Sequence, residues 1–528
     1  MLSIKQVFPQ NGNWQAPSLR QLLAVPGLRM LGLGCLLLCL SIPGVWGNTN
    51  PFWWLAWVAL VPLLWALNRC SRPMAAWLQG LAFGTLYHMV YFSWFMDLYP
   101  LGWLGLPNWA GFLIAVVTWL LLALIQGLII SVIWWLAYLV RRPTCRWAWL
   151  PILPVLWVGL LWGLNQSAIG VPWGWLSHSQ ADVDGVRHSV YALGMLGLEA
   201  VMVGFNVAVY LLVESLAKKH SGGNRVPLWQ MGFPAITAVC LAIMVGWAPV
   251  IAHPRHSGRV VLASLNPVVF QGDLTMDDDH YDEVIRTGRL GLASARQKWA
   301  RYEAAARPLL NEGRQSLFVW PEGILTPATK YQAKQWLASW VPESAHVALF
   351  SGALTLDDWN RPFNSAILIQ ADQQTLAIHK RHLVAFGETV PFVPAEWFSW
   401  LVNQLFGLPY QPTFNAGTLS QPGISYRGHR IGAFICFEAI YPSLSHIYRH
   451  NGVDVLVTVS NLGWFHHNRM LGRQFLGINR IRATEAGLPL ILAVNSGPSA
   501  YIDGTGKIIK QSPPAVAAVL PYDNSLLP

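Results

Sequence analysis

Glu322, Lys380 and Cys436 follow one another along the second half of the chain, each at the end of an apolar run or at the start of a loop. Gly432-Ala433-Phe434-Ile435-Cys436-Phe437-Glu438 reads as an apolar strand that ends in a thiol, with a carboxylate two residues on. Val319-Trp320-Pro321-Glu322 is a second apolar strand running into a glutamate, and the proline ends it so that the carboxylate projects at the sheet edge. His379-Lys380-Arg381-His382-Leu383 brings the lysine. A free thiol titrates near 8.5, so a nucleophilic cysteine needs a base or a cation beside it. A glutamate can take the thiol proton and return it to a leaving group. A lysine can favour the thiolate and stabilise an oxyanion, with the backbone N–H of Phe437 as a second donor. The three together are enough for acyl transfer through a thioester. A cysteine alone is more often a small core residue, so the chemistry rests on the whole set.

The elements that must position these groups are legible as short β-rich runs at 260–265, 316–319, 347–350, 366–369, 431–435, 453–459 and 490–494. Helical stretches at 281–310 and 472–486 separate several of them. Continuous apolar strands alternating with helices predict a layered α/β domain with buried sheets. Asp503-Gly504-Thr505-Gly506 predicts a hairpin. Between two prolines and Gly407, residues 395–406 predict a helix with Trp397, Trp400, Leu401 and Leu405 on one face. No phosphate-binding glycine loop and no Cys/His zinc spacing is present, so neither cofactor nor metal is expected.

The first half is of another kind. The chain is 54% hydrophobic and 11% charged, which makes membrane insertion the default. Apolar runs at 30–46, 52–67, 74–96, 111–140, 147–164, 190–213 and 231–251 predict about seven spans. The net charge of +10 is concentrated in alternate gaps. Lys5, Arg20 and Arg29 precede the first run; Arg69 and Arg72 follow the second, Arg141, Arg142 and Arg146 the fourth, and Lys218, Lys219 and Arg225 the sixth. The other gaps carry Asp97, or Asp182 and Asp184 with Arg187. The positive-inside rule then puts the N-terminus in the cytoplasm and everything after Ile251 on the opposite face. Such placement argues against nucleic-acid binding, which needs a continuous basic face. Residues 1–29 are expected to be a cytoplasmic segment without a secretory signal, 30–255 the membrane domain and 256–528 the catalytic domain. Glu199 falls within a span and must face the interior. Cys436 is the one cysteine of the second half and is expected to be free.

The local contexts resemble the nitrilase superfamily, and more closely its membrane-embedded branch, the apolipoprotein N-acyltransferases. The likeness rests on Trp320-Pro321-Glu322, His382-Leu383-Val384, Phe386-Gly387-Glu388, Cys436-Phe437-Glu438 and Ser460-Asn461 with Trp464-Phe465. In the first half it rests on Val171-Pro172-Trp173-Gly174-Trp175 and Ser177-His178-Ser179-Gln180. The resemblance implies a multispan α-helical membrane domain followed by an α/β nitrilase-like αββα sandwich. It implies Glu322 as general base, Lys380 as oxyanion-stabilising cation and Cys436 as acylated nucleophile, with Glu388 and Glu438 as supporting carboxylates. The substrates it implies are a phospholipid acyl donor and a diacylglyceryl-modified apolipoprotein, handled by a monomer in the bacterial inner membrane. The chain departs from the pattern at Phe437, Ala385, Leu462-Gly463 and Phe475, and only 515–520 is apolar near its end. Seven spans rather than the family's eight are therefore expected, with the catalytic domain held by the last span alone. The competing reading is a membrane-anchored amidase acting on small soluble molecules.

Overall fold

The computed structural model describes residues 26–102, 106–140, 146–166, 170–220, 228–251, 258–274, 292–312, 316–326, 330, 334–335, 337, 347–370, 375–407, 414–418 and 423–523. Lys5, Arg20, Arg141, Arg142, Arg225 and residues 281–291 of the expected long helix lie outside them.

The apolar runs of the first half are helices: α1 (Pro26–Leu40), α2 (Leu60–Asn68), α3 (Pro73–Tyr91), α4 (Asn108–Leu139), α5 (Trp149–Asn165), α6 (Asp184–His220) and α7 (Leu228–Ile251). Of these, α4 and α6 are long and apolar enough to cross a membrane by length and composition. Three runs are less regular than their composition predicts. The first helix stops at Leu40, ahead of Pro43 and Gly44. The second run splits into a 3-10 turn (Trp53–Trp57) and α2, and the third passes from α3 into a 3-10 turn at Ser93–Leu98. Helix α6 is broken at Gly194, whose φ of 66° and ψ of 169° belong to a region essentially open to glycine alone. Glu199 is fully buried and satisfied there: the Ser177 N–H donates to it at 2.6 Å and the Trp157 indole at 3.1 Å.

The second half is a four-layer αββα sandwich. One sheet runs in the order β12-β1-β2-β3-β4-β5 and the other β11-β10-β9-β8-β7-β6. The first comprises β1 (Pro267–Gln271), β2 (Leu317–Leu325), β3 (Ala348–Leu356), β4 (Pro362–Gln370), β5 (Leu376–His379) and β12 (Ala518–Pro521). The second comprises β6 (Ile424–Tyr426), β7 (His429–Ile435), β8 (Val455–Ser460), β9 (Leu490–Val494), β10 (Ala500–Ile502) and β11 (Ile508–Gln511). Val319, Phe350 and Leu368 meet Ala433, Val457 and Ile491 between the sheets. The outer face of the first sheet packs on α9 (Leu292–Glu312) through Trp299, Tyr302 and Trp320. That of the second packs on α11 (Pro442–His450) and α12 (Arg469–Ala486) through Phe434, Leu456, Tyr448 and Phe475. Covering on both faces is why these strands read as unbroken apolar runs rather than alternating ones. The run 260–265, expected as a strand, is instead helix α8 (Arg259–Leu265). Its left-handed flanks at Gly258 and Asn266 close a short helix that buries Leu262 and Leu265, spaced by three, so burial overrides the β-branched valines.

The sandwich is not held by the last helix alone. One apolar core runs without interruption from the helical bundle into the α11–α12 layer. Around it, Asp182 pairs with Arg473 at 2.8 Å and Arg480 at 2.5 Å, and the buried Arg187 donates to the carbonyl of Thr505 in the hairpin. At the break in α6 the freed N–H of Met195 donates to Glu485 at 3.0 Å, and Glu485 is paired with Arg482 at 2.6 Å, both side chains fully buried.

Candidate active site

Strand β2 pairs with β3 in parallel as far as Trp320, then slips register before pairing resumes at Leu325. The slip is local chemistry. Pro321 has no N–H for the ladder, Gly323 takes a φ of 76°, and Gly352 on β3 leaves room for the displaced backbone. A Cβ there would sit 2.3 Å from the Cα of Glu322. The bulge turns the Glu322 carboxylate out of the sheet, as such irregularities commonly do beside a site. Its Oε1 accepts from Asn364 Nδ2 at 2.8 Å, and its Oε2 from the N–H of Asn461 at 3.1 Å.

Lys380 follows β5. Its N–H donates to the Asn364 carbonyl at 2.8 Å and its carbonyl accepts from Gly417 at 2.7 Å, so the backbone is pinned on both sides. The ammonium, 1% exposed, lies 2.9 Å from Glu388 Oε1 and 3.6 Å from Glu322 Oε1. Burial works against its charge, but Glu388, Glu322 and Cys436 outweigh it and hold the lysine above its ordinary range. Glu388 closes its own loop, since its other oxygen accepts from the Val384 N–H at 2.8 Å.

Strand β7 ends at Ile435, and Cys436 then takes a φ of 53°, a strained value for a residue with a side chain. It opens a 3-10 turn over Cys436–Ile440, whose first amides have no acceptor within the turn. Glu438, 2% exposed, accepts from the N–H groups of Ile435 at 3.0 Å, Arg381 at 2.6 Å and His382 at 3.2 Å. One carboxylate thus ties the thiol's strand to the lysine's loop, and burial pushes its pKa up against those three donors. Glu322, Lys380 and Ser460 surround the thiol. Its pKa is pushed up to about 12, by burial first and the Glu322 charge second, with Lys380 pulling the other way. The resting sulfur is therefore protonated, and a base within reach is what would make it a nucleophile.

The structure brings together Glu322, Lys380, Cys436, Glu388 and Glu438. Phe437 is half-buried and its ring meets Trp173 of the helical half, with centroids 6.5 Å apart. Trp397, Trp400 and Leu405 stand apart on α10 (Ala395–Phe406), each at least half exposed, while Leu401 is half-buried. The helix leans on the loop before it through Phe398 and Phe386, with centroids 5.5 Å apart. Asn364 is a residue the sequence reading missed: its amide also donates to Glu388 at 2.6 Å and so spans two carboxylates. Its signal was a polar residue just ahead of an apolar strand run. Asn495 is another, bonded to the Asn461 side chain at 3.0 Å and to the Leu274 carbonyl at 2.7 Å. Among the described residues no group of His, Cys, Asp or Glu is arranged to hold a metal ion.

A strand-end cysteine, a buried lysine and a bulged glutamate on an αββα sandwich define the carbon-nitrogen hydrolase class. Residues 293–520 match the carbon-nitrogen hydrolase family model. Residues 34–208 match the model of the apolipoprotein N-acyltransferase N-terminal domain. The chain is 28% identical over 494 residues to the apolipoprotein N-acyltransferase of Gloeobacter violaceus, covering 92% of this chain and 84% of that one. It is 27% identical over 500 residues to that of Geobacter metallireducens, covering 93% and 88%. The crystal structure of a carbon-nitrogen hydrolase from Helicobacter pylori G27 is similar over 49% of this chain and 89% of its own, at 15% identity and a TM-score of 0.36. The N-terminal match and these relatives both carry the name apolipoprotein N-acyltransferase, and the chain is an acyltransferase.

Proposed function

We propose that this enzyme moves an acyl chain from a membrane phospholipid to the N-terminal amine of the diacylglyceryl-cysteine of an apolipoprotein, through a thioester on Cys436. The observation that carries this reading is the convergence of Glu322, Lys380 and the Cys436 thiol beneath a helical bundle. Glu322 takes the thiol proton as sulfur attacks the ester carbonyl. The oxyanion forms between the Lys380 ammonium and the Phe437 N–H. Collapse breaks the C–O bond, and Glu322 gives its proton to the departing lysophospholipid oxygen. In the second half the amine attacks the thioester carbonyl, Glu322 accepts the amine proton, and collapse returns the thiolate, which takes the proton back. Atoms and charge balance over the cycle without a cofactor. Glu388 and Asn364 hold the lysine and the base, and Glu438 holds the backbone around both.

Both substrates are membrane-held, so confinement to one surface aligns sulfur and ester. We read residues 30–255 as a bundle of seven spans in the bacterial inner membrane, 1–29 as cytoplasmic, and 256–528 as a catalytic domain outside the cytoplasm, in a monomer. In support, the gaps that lack basic clusters are the ones meeting the sandwich. Gly44 lies against Met470, Asp97 bonds Asn468, and Asp182 pairs with Arg473. An amidase of small soluble molecules has no use for such a bundle. Helix α10, with Trp397, Trp400 and Leu405 exposed and Leu401 beneath them, is read as a lid that dips into the outer leaflet, where aromatic rings favour headgroup depth. The deciding experiment is incubation with phospholipid labelled in its acyl chain. A hydroxylamine-sensitive label on the wild type and none on Cys436→Ala is expected. Label retained on that variant, or a free lipoprotein amine in cells rich in the enzyme, would overturn the reading.

A further inference from the structure

Asp97 belongs to the helical half and takes no part in the chemistry above, yet it holds the loop that completes the base. The loop runs from β8 to α12, and its first residue, Asn461, gives its N–H to Glu322 at 3.1 Å. After a 3-10 turn at Gly463–Phe465 come two consecutive histidines with positive φ, 44° at His466 and 62° at His467. Each such conformation is strained for a residue with a side chain and persists only where its surroundings impose it. Two surroundings do. From the helical half, the Asp97 carboxylate accepts from Asn468 Nδ2 at 2.6 Å, and the Asp97 carbonyl lies 2.6 Å from His466 Nδ1. From the sandwich, Asp273 lies 2.8 Å from His467 Nε2. The free face of Asn468 does a second job, since its Oδ1 caps α12 by accepting from the Leu471 N–H at 2.8 Å. Asn468 therefore joins a gap of the helical bundle to the first turn of the helix that docks the sandwich.

We infer that Asp97 is a positioning residue for the acyl-transfer reaction. It presents a carboxylate from the bundle to Asn468, and thereby keeps the strained loop in the one arrangement that aims the Asn461 amide at Glu322. This goes beyond the proposed chemistry and rests on Glu322 acting as its base. Asp97 touches neither substrate nor thiol. Its effect passes through seven residues of loop, and a released loop relaxes at His466 and His467 and withdraws its donor.

Asn468→Asp is the informative substitution, because it keeps the cap oxygen and sets two carboxylates against each other. Acyl-enzyme formation from labelled phospholipid should fall roughly 10- to 100-fold, the worth of one hydrogen bond to a charged group. The concentration of phospholipid giving half-maximal rate should stay unchanged. Asp97→Asn alone retains an acceptor and should lose little. The reciprocal pair, Asp97→Asn with Asn468→Asp, returns the amide on the opposite side and should restore most of the rate. A purely structural weakening would not be rescued by that pair, and absence of rescue with both proteins folded overturns the proposal, as does full activity of Asn468→Asp. If that variant fails to fold, Asp97→Ala measured against Asp97→Asn makes the same comparison, and equal rates sink the idea. Glu322→Gln run alongside separates the two readings. Turnover surviving in it removes the base, whereas loss in it alone leaves the base standing and discards the latch.

Discussion

Gly352 is pressed against Glu322: a Cβ on the glycine would lie 2.3 Å from the Cα of the glutamate and 3.0 Å from the Pro321 carbonyl. Both neighbours are backbone, so neither can swing aside. Gly352→Ala must push β2 and β3 apart at the bulge, at about 1–3 kcal/mol. Acyl-enzyme formation should fall nearly as far as in Glu322→Gln, about 10²–10⁴-fold, while the melting temperature drops only modestly. A Gly352→Ala enzyme with normal acylation would show that the bulge does not set the carboxylate.

The thiol offers a titration that divides the roles of its neighbours. With its pKa pushed up to about 12, Cys436 should react slowly with iodoacetamide near neutral pH, and the rate should climb through about pH 10 without a plateau. Lys380 draws the thiol down, so Lys380→Met should slow this alkylation at every pH. Glu322 pushes it up, so Glu322→Gln should speed direct alkylation while cutting acylation by phospholipid about 10²–10⁴-fold. A plateau near pH 8 in the wild type would contradict the protonated resting state of this half-buried thiol.

On α10, the pair Trp397→Glu with Trp400→Glu changes two exposed residues and should leave folding intact. Acylation by phospholipid in vesicles should drop by an order of magnitude or more, about 1.4 kcal/mol or above, while iodoacetamide reactivity is kept. Equal loss of both reactions would make the helix a structural part of its own domain.

Arg482 and Glu485 form a fully buried pair at the junction of the halves. Removing one partner strands the other, so Arg482→Met should cost about 3–5 kcal/mol, read as a lowered melting temperature of the whole chain. Burial opposes the Glu485 charge, but Arg482, His446 and the Met195 amide outweigh it and hold the carboxyl below its ordinary value. Its stabilisation is fully present above the unfolded value of about 4.3 and is lost as pH falls through the lower folded value. Arg482→Met removes the main charge holding that carboxyl down, so its cost should be largest above the unfolded value and shrink as Glu485 protonates in acid. A cost of the same size in acid and at neutral pH would mean that the two charges are not coupled.

The residues that announce the site in sequence are those at strand ends, because a change from apolar run to polar residue is visible without knowing the fold. Glu322, Cys436 and the alternation of strand and helix were legible on that ground. Asn364 was not, since its importance depends on β4 pairing with β5 and on the bulge across from it. The helix at 259–265 was misread because two valines look like a strand when the flanking left-handed residues are not known. Asp97, Asp182 and Asp184 were visible only as breaks in a charge pattern. The partners of Asp97 and Asp182 lie hundreds of residues away, and no local signal carries that; Asp184 pairs with Arg187 three residues on and only secondarily with Arg480.

The break at Gly194 makes the two halves poor interchangeable parts. A helix that leaves one amide without its own carbonyl has a plug hole, and Glu485 is the plug cut to it. Exchange of the sandwich for that of a soluble relative would leave Met195 uncapped in a dry place unless the incoming helix carried an acid at the matching turn. A functioning chimera would have to carry over the glycine, the glutamate and its arginine as one inherited unit.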